Sequence, residues 1–113
     1  MIKTFLALFF LFLVGCSHGH CNRNGDPSVI NMMRKISVYK YDGSKQCEPK
    51  SGEPEDKMAS QLLDIKIYSM KKQSDGQPRV QVCGALTGTT NVYEIRQKDL
   101  ALAETLGFKK WDF

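Results

Sequence analysis

The chain has 113 residues, of which 42% are hydrophobic and 25% charged, and its formal net charge is +4. That length allows one small domain and excludes a second. Basic and acidic side chains are interspersed, whereas a nucleic-acid surface requires a basic stripe with interleaved aromatic residues. No nucleic acid is therefore expected as a partner.

The first fifteen residues are expected to be a signal peptide rather than part of the domain. One charge, Lys3, precedes the run from Phe5 to Val14, which contains no polar side chain. Ten residues make a helix of about 15 Å, roughly half the thickness of a hydrocarbon core, so the run is too short for an ordinary membrane span. The pattern predicts that residues 1–15 are removed.

Leu13-Val14-Gly15-Cys16 resembles the lipobox of bacterial lipoproteins. The resemblance implies cleavage before Cys16, attachment of a diacylglyceryl group to its thiol and, often, acylation of the freed amine. Two or three acyl chains anchor a protein stably, whereas one chain binds only marginally. Ser17 resembles the pattern associated with sorting to the outer membrane, facing the periplasm. The alternative is an ordinary signal peptide, with Cys16 paired to another cysteine.

Lipidation of Cys16 leaves three cysteines in an oxidising compartment, where disulfides persist. Cys47 and Cys83 both lie in the region expected to fold. A bridge between them would close a loop of about 36 residues and contribute roughly 3 to 4 kcal/mol in the chain-entropy model. Cys21 would then be free, paired between chains or bound to a metal.

Residues 16–35 are predicted to form a flexible tether, because glycine, asparagine, proline and serine interrupt any periodic pattern. His18, His20 and Cys21 lie together in it, and the two histidines are the only ones in the chain. These side chains could ligate zinc or copper if a fourth ligand were supplied. Metal handling is thus one alternative function, and a polar linker without a ligand is the other interpretation. No cofactor is expected in the domain itself.

Residues 36–113 predict one domain with the element order β-α-β-β-β-α. The predicted strands are Ile36–Tyr41, Ile65–Met70, Arg79–Ala85 and Asn91–Ile95, and the predicted helices begin at Pro54 and Leu100. Ser74-Asp75-Gly76 predicts a hairpin turn between the second and third strands. The fold class is therefore α+β, a small two-layer domain with an antiparallel sheet and helices on one face.

Two segments, Gln81–Ala85 and Asn91–Ile95, resemble a group of small, functionally uncharacterised bacterial envelope proteins. Tyr39–Gly43, Cys47 and Leu106–Phe108 contribute to the same resemblance, which covers roughly residues 36–111. It implies a secreted single domain in which Cys47 is paired with Cys83. It transfers no activity to any residue of this chain.

Binding rather than catalysis is expected, because the region expected to fold contains no histidine and its clustered carboxylates suit a loop and a helix start. Four tyrosines could line a sheet face that the helices leave uncovered, namely Tyr39, Tyr41, Tyr68 and Tyr93. Such a face would bind an envelope protein, a peptide or a glycan, although tyrosines also serve simply to pack across strands. A looser resemblance to small secreted peptidase inhibitors suggests a second function, with Cys47–Glu53 or Ala85–Thr90 as the inhibitory loop.

Overall fold

The computed structural model describes residues 25–113, and the predicted signal peptide, Cys16 and the first part of the predicted tether lie outside them. The elements are α1 (Pro27–Met33), β1 (Lys35–Tyr41), α2 (Glu55–Ala59), β2 (Ser69–Ser74), β3 (Thr89–Arg96), a 3₁₀ turn (Gln97–Asp99), α3 (Leu100–Thr105) and β4 (Lys109–Lys110). Within residues 25–113, no helix combines the length and the apolar character needed to cross a membrane.

The four strands form one antiparallel sheet in the order β2-β3-β1-β4. β1 and β3 lie at its centre, with Ile36 opposite Ile95 and Val38 opposite Tyr93. β2 and β4 are the edge strands, and β4 contributes only two residues. The predicted small α+β domain with an antiparallel sheet is confirmed.

The hydrophobic core lies on one face of the sheet, where α2 and α3 pack. Its buried side chains are Val38, Met58, Leu62, Ile65, Tyr93, Ile95, Ala103 and Phe108. The rings of Tyr93 and Phe108 meet edge to face, with their centroids 5.7 Å apart. Since burying one large apolar side chain contributes about 1.5 to 3 kcal/mol, this cluster is a major source of the domain's stability.

The predicted second strand, Ile65–Met70, lies four residues later in the structure, as β2 (Ser69–Ser74). The predicted third strand, Arg79–Ala85, is absent, so β2 pairs with β3. The side chain of Gln46 provides the physical reason. Its Nε2 donates to the carbonyl of Val80 at 2.9 Å, and its Oε1 accepts from the amide of Val82 at 3.0 Å. The side chain of Gln46 thus occupies backbone hydrogen-bonding groups that would otherwise pair with a neighbouring strand. Residues 79–85 therefore stay in a loop, and the side chain of Val80 remains 75% exposed.

The sequence pattern did not predict α1, which lies inside the predicted tether. Asp26 caps the helix by accepting from the amide of Ser28 at 2.9 Å, and Pro27 occupies the first helical position, where its missing N–H costs nothing. The amide of Gln97 donates to the carbonyl of Arg34 at 2.7 Å, which ties the end of the helix to the sheet. Ordered structure therefore begins before Ile36.

Candidate functional site, the open face of the sheet

Tyr39 and Tyr41 lie on the sheet face opposite the core, because successive side chains of a strand alternate between faces and Val38 points into the core. Their cross-strand partners on β3 are Val92 and Thr90. We call this side of the sheet the open face. It therefore presents the rings of Tyr39 and Tyr41 on the side of the sheet away from the core.

Four aromatic side chains form one cluster on the open face, which we call the aromatic patch. Tyr39 is at its centre, with ring centroids 5.3 Å from Trp111, 5.3 Å from Phe113 and 5.7 Å from Tyr41. All these contacts are edge-to-face, the arrangement that aromatic quadrupoles favour. Tyr39 is only 8% exposed, whereas Tyr41 is 42% and Phe113 54% exposed. The patch thus has a packed centre and an accessible rim.

The C-terminal end of the chain brings Trp111 and Phe113 to the open face. The amide of Trp111 donates to the carbonyl of Ser37 at 2.9 Å and so prolongs the pairing of β4 with β1. Lys109, Trp111 and Phe113 are spaced two residues apart, which places all three on one side of an extended segment. This two-residue spacing is visible in the sequence and would have predicted that these residues share a face of the sheet.

The accessible rim of the patch is held in place by a polar contact at Tyr41. Its hydroxyl donates to Oδ2 of Asp75 at 2.9 Å, and the guanidinium of Arg79 binds both oxygens of the same carboxylate at 2.6 Å. The Arg79 hydrogen bonds hold the pKa of Asp75 well below its usual range. The hydrogen bond to this carboxylate raises the pKa of Tyr41. The ring therefore carries a neutral hydroxyl in a fixed orientation.

Two lysines lie on the same side of the sheet as the aromatic patch, one on β4 beside it and one on β2, beyond β3. Lys109 of β4 is paired with Tyr39, and Lys71 of β2 is paired with Val92, so both lysines belong to the open face. Both are exposed. An apolar aromatic centre beside ammonium groups is suited to a ligand that carries apolar groups next to carboxylates.

Beyond the patch, the ends of the strands lead into two loops, residues 42–53 and 75–88, which we call the disulfide lobe. A Cys47–Cys83 disulfide joins the loops, with the Cα atoms 5.1 Å apart, as predicted. The backbone of Gln46 reinforces the junction, since its amide donates to Ala85 and its carbonyl accepts from Gly84. Two clefts of about 440 and 320 Å³ open on this lobe. The lobe is therefore a fixed extension of the sheet.

A polar network that includes the buried residues Asp42 and Asn91 closes the junction between the lobe and the sheet. Nζ of Lys72 donates to Asp42 at 2.9 Å, to the side chain of Asn91 at 3.0 Å and to the carbonyl of Glu53 at 3.1 Å. Burial alone would raise the pKa of Asp42, but hydrogen bonds from Ser44 and Lys72 outweigh it and lower the pKa. The carboxylate of Asp42 accepts from Ser44 and from Lys72, so the network ties the lobe to the sheet.

The other two predicted tyrosines do not join the aromatic patch. Tyr93 is fully buried in the core and its hydroxyl donates to the carbonyl of Glu55 at 2.7 Å, so the prediction that it lines the uncovered face is wrong. The strand alternation that places Tyr39 outside places Tyr93 inside, because Tyr93 is paired with Val38. Tyr68 precedes β2, and its hydroxyl accepts from Nε of Arg96 at 2.8 Å.

The predicted lipidation site Cys16 and the predicted metal ligands His18, His20 and Cys21 lie outside the described residues. Within residues 25–113, no group of three or more histidine, cysteine, aspartate or glutamate side chains is arranged to hold a metal ion. The predictions of an anchor and of an N-terminal metal site therefore stay predictions.

Comparisons with protein-family models, with curated proteins and with solved structures found no match to this chain.

Proposed function

We propose that this chain is a lipid-anchored envelope protein whose domain binds a protein or peptide through the aromatic patch. Its resemblance to the lipobox at Leu13-Val14-Gly15-Cys16 supports the anchor, at the outer membrane and facing the periplasm. The Cys47–Cys83 disulfide supports an oxidising compartment. The proposal assigns no reaction and no cofactor to the domain.

The observation that carries the binding proposal is the exposure of Tyr41 and Phe113 around a packed Tyr39. Tyrosine and tryptophan dominate the binding energy of protein interfaces because they bury a large area at low entropic cost. The contacts with Asp75 and Arg79 already orient Tyr41 in the unbound protein. Binding a partner therefore costs little further conformational entropy at this side chain. Such a surface favours capture of a partner.

The lysines beside the patch define the chemistry of that partner. Lys71 and Lys109 offer ammonium groups on the same face as the rings. A peptide segment with one or two apolar side chains next to aspartate or glutamate would satisfy both features. We therefore propose an acidic, partly apolar segment of another envelope protein as the ligand.

Photocrosslinking in intact cells tests this proposal. A photoreactive phenylalanine analogue at position 113 reports on the patch, and the same analogue at Leu63, which is 79% exposed, is the matched control. We expect one discrete crosslinked product from position 113, none from position 63, and loss of the product when Lys71 and Lys109 are both changed to Glu. Equal products from both positions would contradict a specific patch.

Peptidase inhibition is the second candidate function, and the geometry of the loop around Cys47 supports it. Cys47, Glu48, Pro49 and Lys50 are all exposed. Ser51 fixes the loop from within, since its hydroxyl accepts from the amide of Lys45 at 2.7 Å and donates to the carbonyl of Glu48 at 2.7 Å. Exposed loops held in one conformation are what inhibitors insert into enzyme clefts. A panel of peptidases tests this second function. Stoichiometric inhibition of one of them that is lost in Lys50→Ala but kept in Phe113→Ala would favour peptidase inhibition over partner binding by the aromatic patch.

A further inference from the structure

α1 is a helix whose apolar side is not covered by the rest of the domain. Val29, Ile30, Met32 and Met33 recur at helical spacing and share one side, and they are 53%, 59%, 56% and 55% exposed. None of the seven residues of α1 is buried. Four half-exposed apolar side chains within one and a half turns form an apolar patch whose exposure to water is unfavourable.

A group of cations borders the C-terminal end of this helix. The group consists of three cations around the ring of Tyr68, with Lys35 Nζ at 4.6 Å, Arg96 Cζ at 5.0 Å and Lys66 Nζ at 5.1 Å from its centroid. The guanidinium of Arg96 also donates to the carbonyl of Met33, the last residue of α1. The cations therefore adjoin the end of α1 at which Met32 and Met33 lie.

The balance of charge at this surface is positive. Glu94 is the acidic partner found there, 3.5 Å from Lys35. The three cations lie within about one Debye length of one another, roughly 10 Å at 0.1 M salt, so their mutual repulsion favours an anionic counterpart. Sequence order alone did not group them, because they come from residues 35, 66 and 96.

The place of α1 in the chain indicates which counterpart faces it. Asp26 follows Cys16 by ten positions, and an extended chain of that length spans at most about 35 Å. If Cys16 carries the lipid, α1 is the described element nearest to the anchor along the chain. Apolar side chains that enter the headgroup region and cations that meet anionic lipid are the two features of an interfacial helix.

We infer that α1 and the cations around Tyr68 dock the domain flat on an anionic bilayer, an inference that rests on the proposed anchor at Cys16. Docking in this orientation fixes which way the domain faces, whereas acyl chains on Cys16 by themselves do not specify an orientation. The lipid surface is thus a second binding partner, distinct from the ligand of the aromatic patch.

Oxidative footprinting of the full chain, purified from membranes and reconstituted in vesicles, tests the inference. Hydroxyl radicals oxidise exposed methionines, so Met32 and Met33 report on α1, while Met70, 46% exposed on β2, is an internal control. In vesicles with about one third phosphatidylglycerol we expect Met32 and Met33 to be oxidised at least about threefold more slowly than in pure phosphatidylcholine vesicles, with Met70 unchanged. Equal oxidation of Met32 and Met33 in the two vesicles overturns the inference.

Two charge-reversal variants sharpen the test. Lys66→Glu should abolish the protection of Met32 and Met33, since each cation near an anionic surface contributes about fivefold to binding. Lys50→Glu makes the same charge change on the disulfide lobe, at the other end of β1, and should keep the protection. Retained protection in Lys66→Glu overturns the inference.

The intact mass of the reconstituted protein separates the two proposals. A chain without acyl groups refutes the anchor, while an acylated chain without protection refutes only the docking.

Discussion

The hydroxyl of Tyr41 donates a 2.9 Å hydrogen bond to the carboxylate of Asp75, a residue 34 positions further along the chain. This contact connects the aromatic patch to the disulfide lobe, because Asp75 also receives both bonds from Arg79 in the loop. The orientation of an exposed ring on the open face thus depends on a loop at the end of the sheet.

Tyr41→Phe tests that connection. Removing one hydrogen bond to a buried carboxylate is expected to lower the free energy of unfolding by about 1 kcal/mol. Urea denaturation of Tyr41→Phe, Asp75→Asn and the double variant forms a double-mutant cycle. We expect the double variant to lose less than the sum of the single losses, and strictly additive losses would show that the contact contributes nothing.

The low pKa of Asp75 predicts a dependence of stability on pH. Its folded-state pKa lies below the ordinary value of 3.8, so the ionised carboxylate contributes stability above about pH 4. That contribution is lost as the pH falls from about 4 towards the folded-state pKa, because the proton then binds more readily to the unfolded chain. Asp75→Asn should be less stable than the wild type at neutral pH, and its urea midpoint should fall less between about pH 5 and 2. Equal slopes would contradict this assignment.

The sequence predicted those parts of the fold whose information is local. β1 and the strand Asn91–Ile95 show β-rich runs, and Gly107 ends α3 with a positive φ of 90°. β1 and β3 differ from the two predicted strands by no more than two residues at either end. The face of each tyrosine was harder to predict, since alternation says which residues share a face but not which face is covered.

The parts of the fold that could not be predicted from the sequence depend on contacts between residues far apart in the chain. Val80 and Val82 alternate like a strand, yet their backbone groups are bound by Gln46, more than thirty residues earlier. The cation group around Tyr68 likewise assembles only when β1 and β3 pair. Neither contact leaves a local pattern, so composition and periodicity could not reveal it.

Loss of the disulfide should cost much of the domain's stability. Cys47 and Cys83 close a loop with a sequence separation of 36, and changing both to serine is expected to lower the free energy of unfolding by about 3 to 4 kcal/mol. Urea denaturation with and without reductant measures this. Reductant should shift the midpoint of the wild type but not that of the double variant. A wild type indifferent to reduction would show that the bridge contributes little to stability.

Gly52 should tolerate no side chain, because it packs directly on Asp42. A Cβ atom at position 52 would lie 2.5 Å from Oδ2 and 2.9 Å from Cγ of that carboxylate, which Lys72 and Ser44 already hold. Gly52→Ala is therefore expected to lower the free energy of unfolding by about 1 to 3 kcal/mol. Gly25→Ala is the matched control, since its Cβ would meet Ile30 at an ordinary 3.5 Å. Equal stability of the two variants would show that Asp42 can move aside.

Tyr93 holds the core together, whereas the aromatic patch is proposed to bind a partner, and one substitution in each separates the two roles. Burial raises the pKa of Tyr93 to about 12, and its hydroxyl donates to the carbonyl of Glu55 inside the domain. Tyr93→Phe should therefore lower the free energy of unfolding by about 1 to 2 kcal/mol, because that carbonyl loses its donor. Photocrosslinking from position 113 should be unaffected while the domain stays folded.

Phe113→Ala should show the opposite behaviour. The ring is 54% exposed, so its loss should change the free energy of unfolding by less than about 1 kcal/mol. Loss of an aromatic anchor from an interface typically weakens binding about tenfold or more. With the photoreactive analogue moved to Tyr41, the crosslinked product should therefore disappear in Phe113→Ala and persist in Tyr93→Phe. If Phe113→Ala instead destabilises the domain as much as Tyr93→Phe and leaves the product intact, the four rings pack the sheet and the partner binds elsewhere.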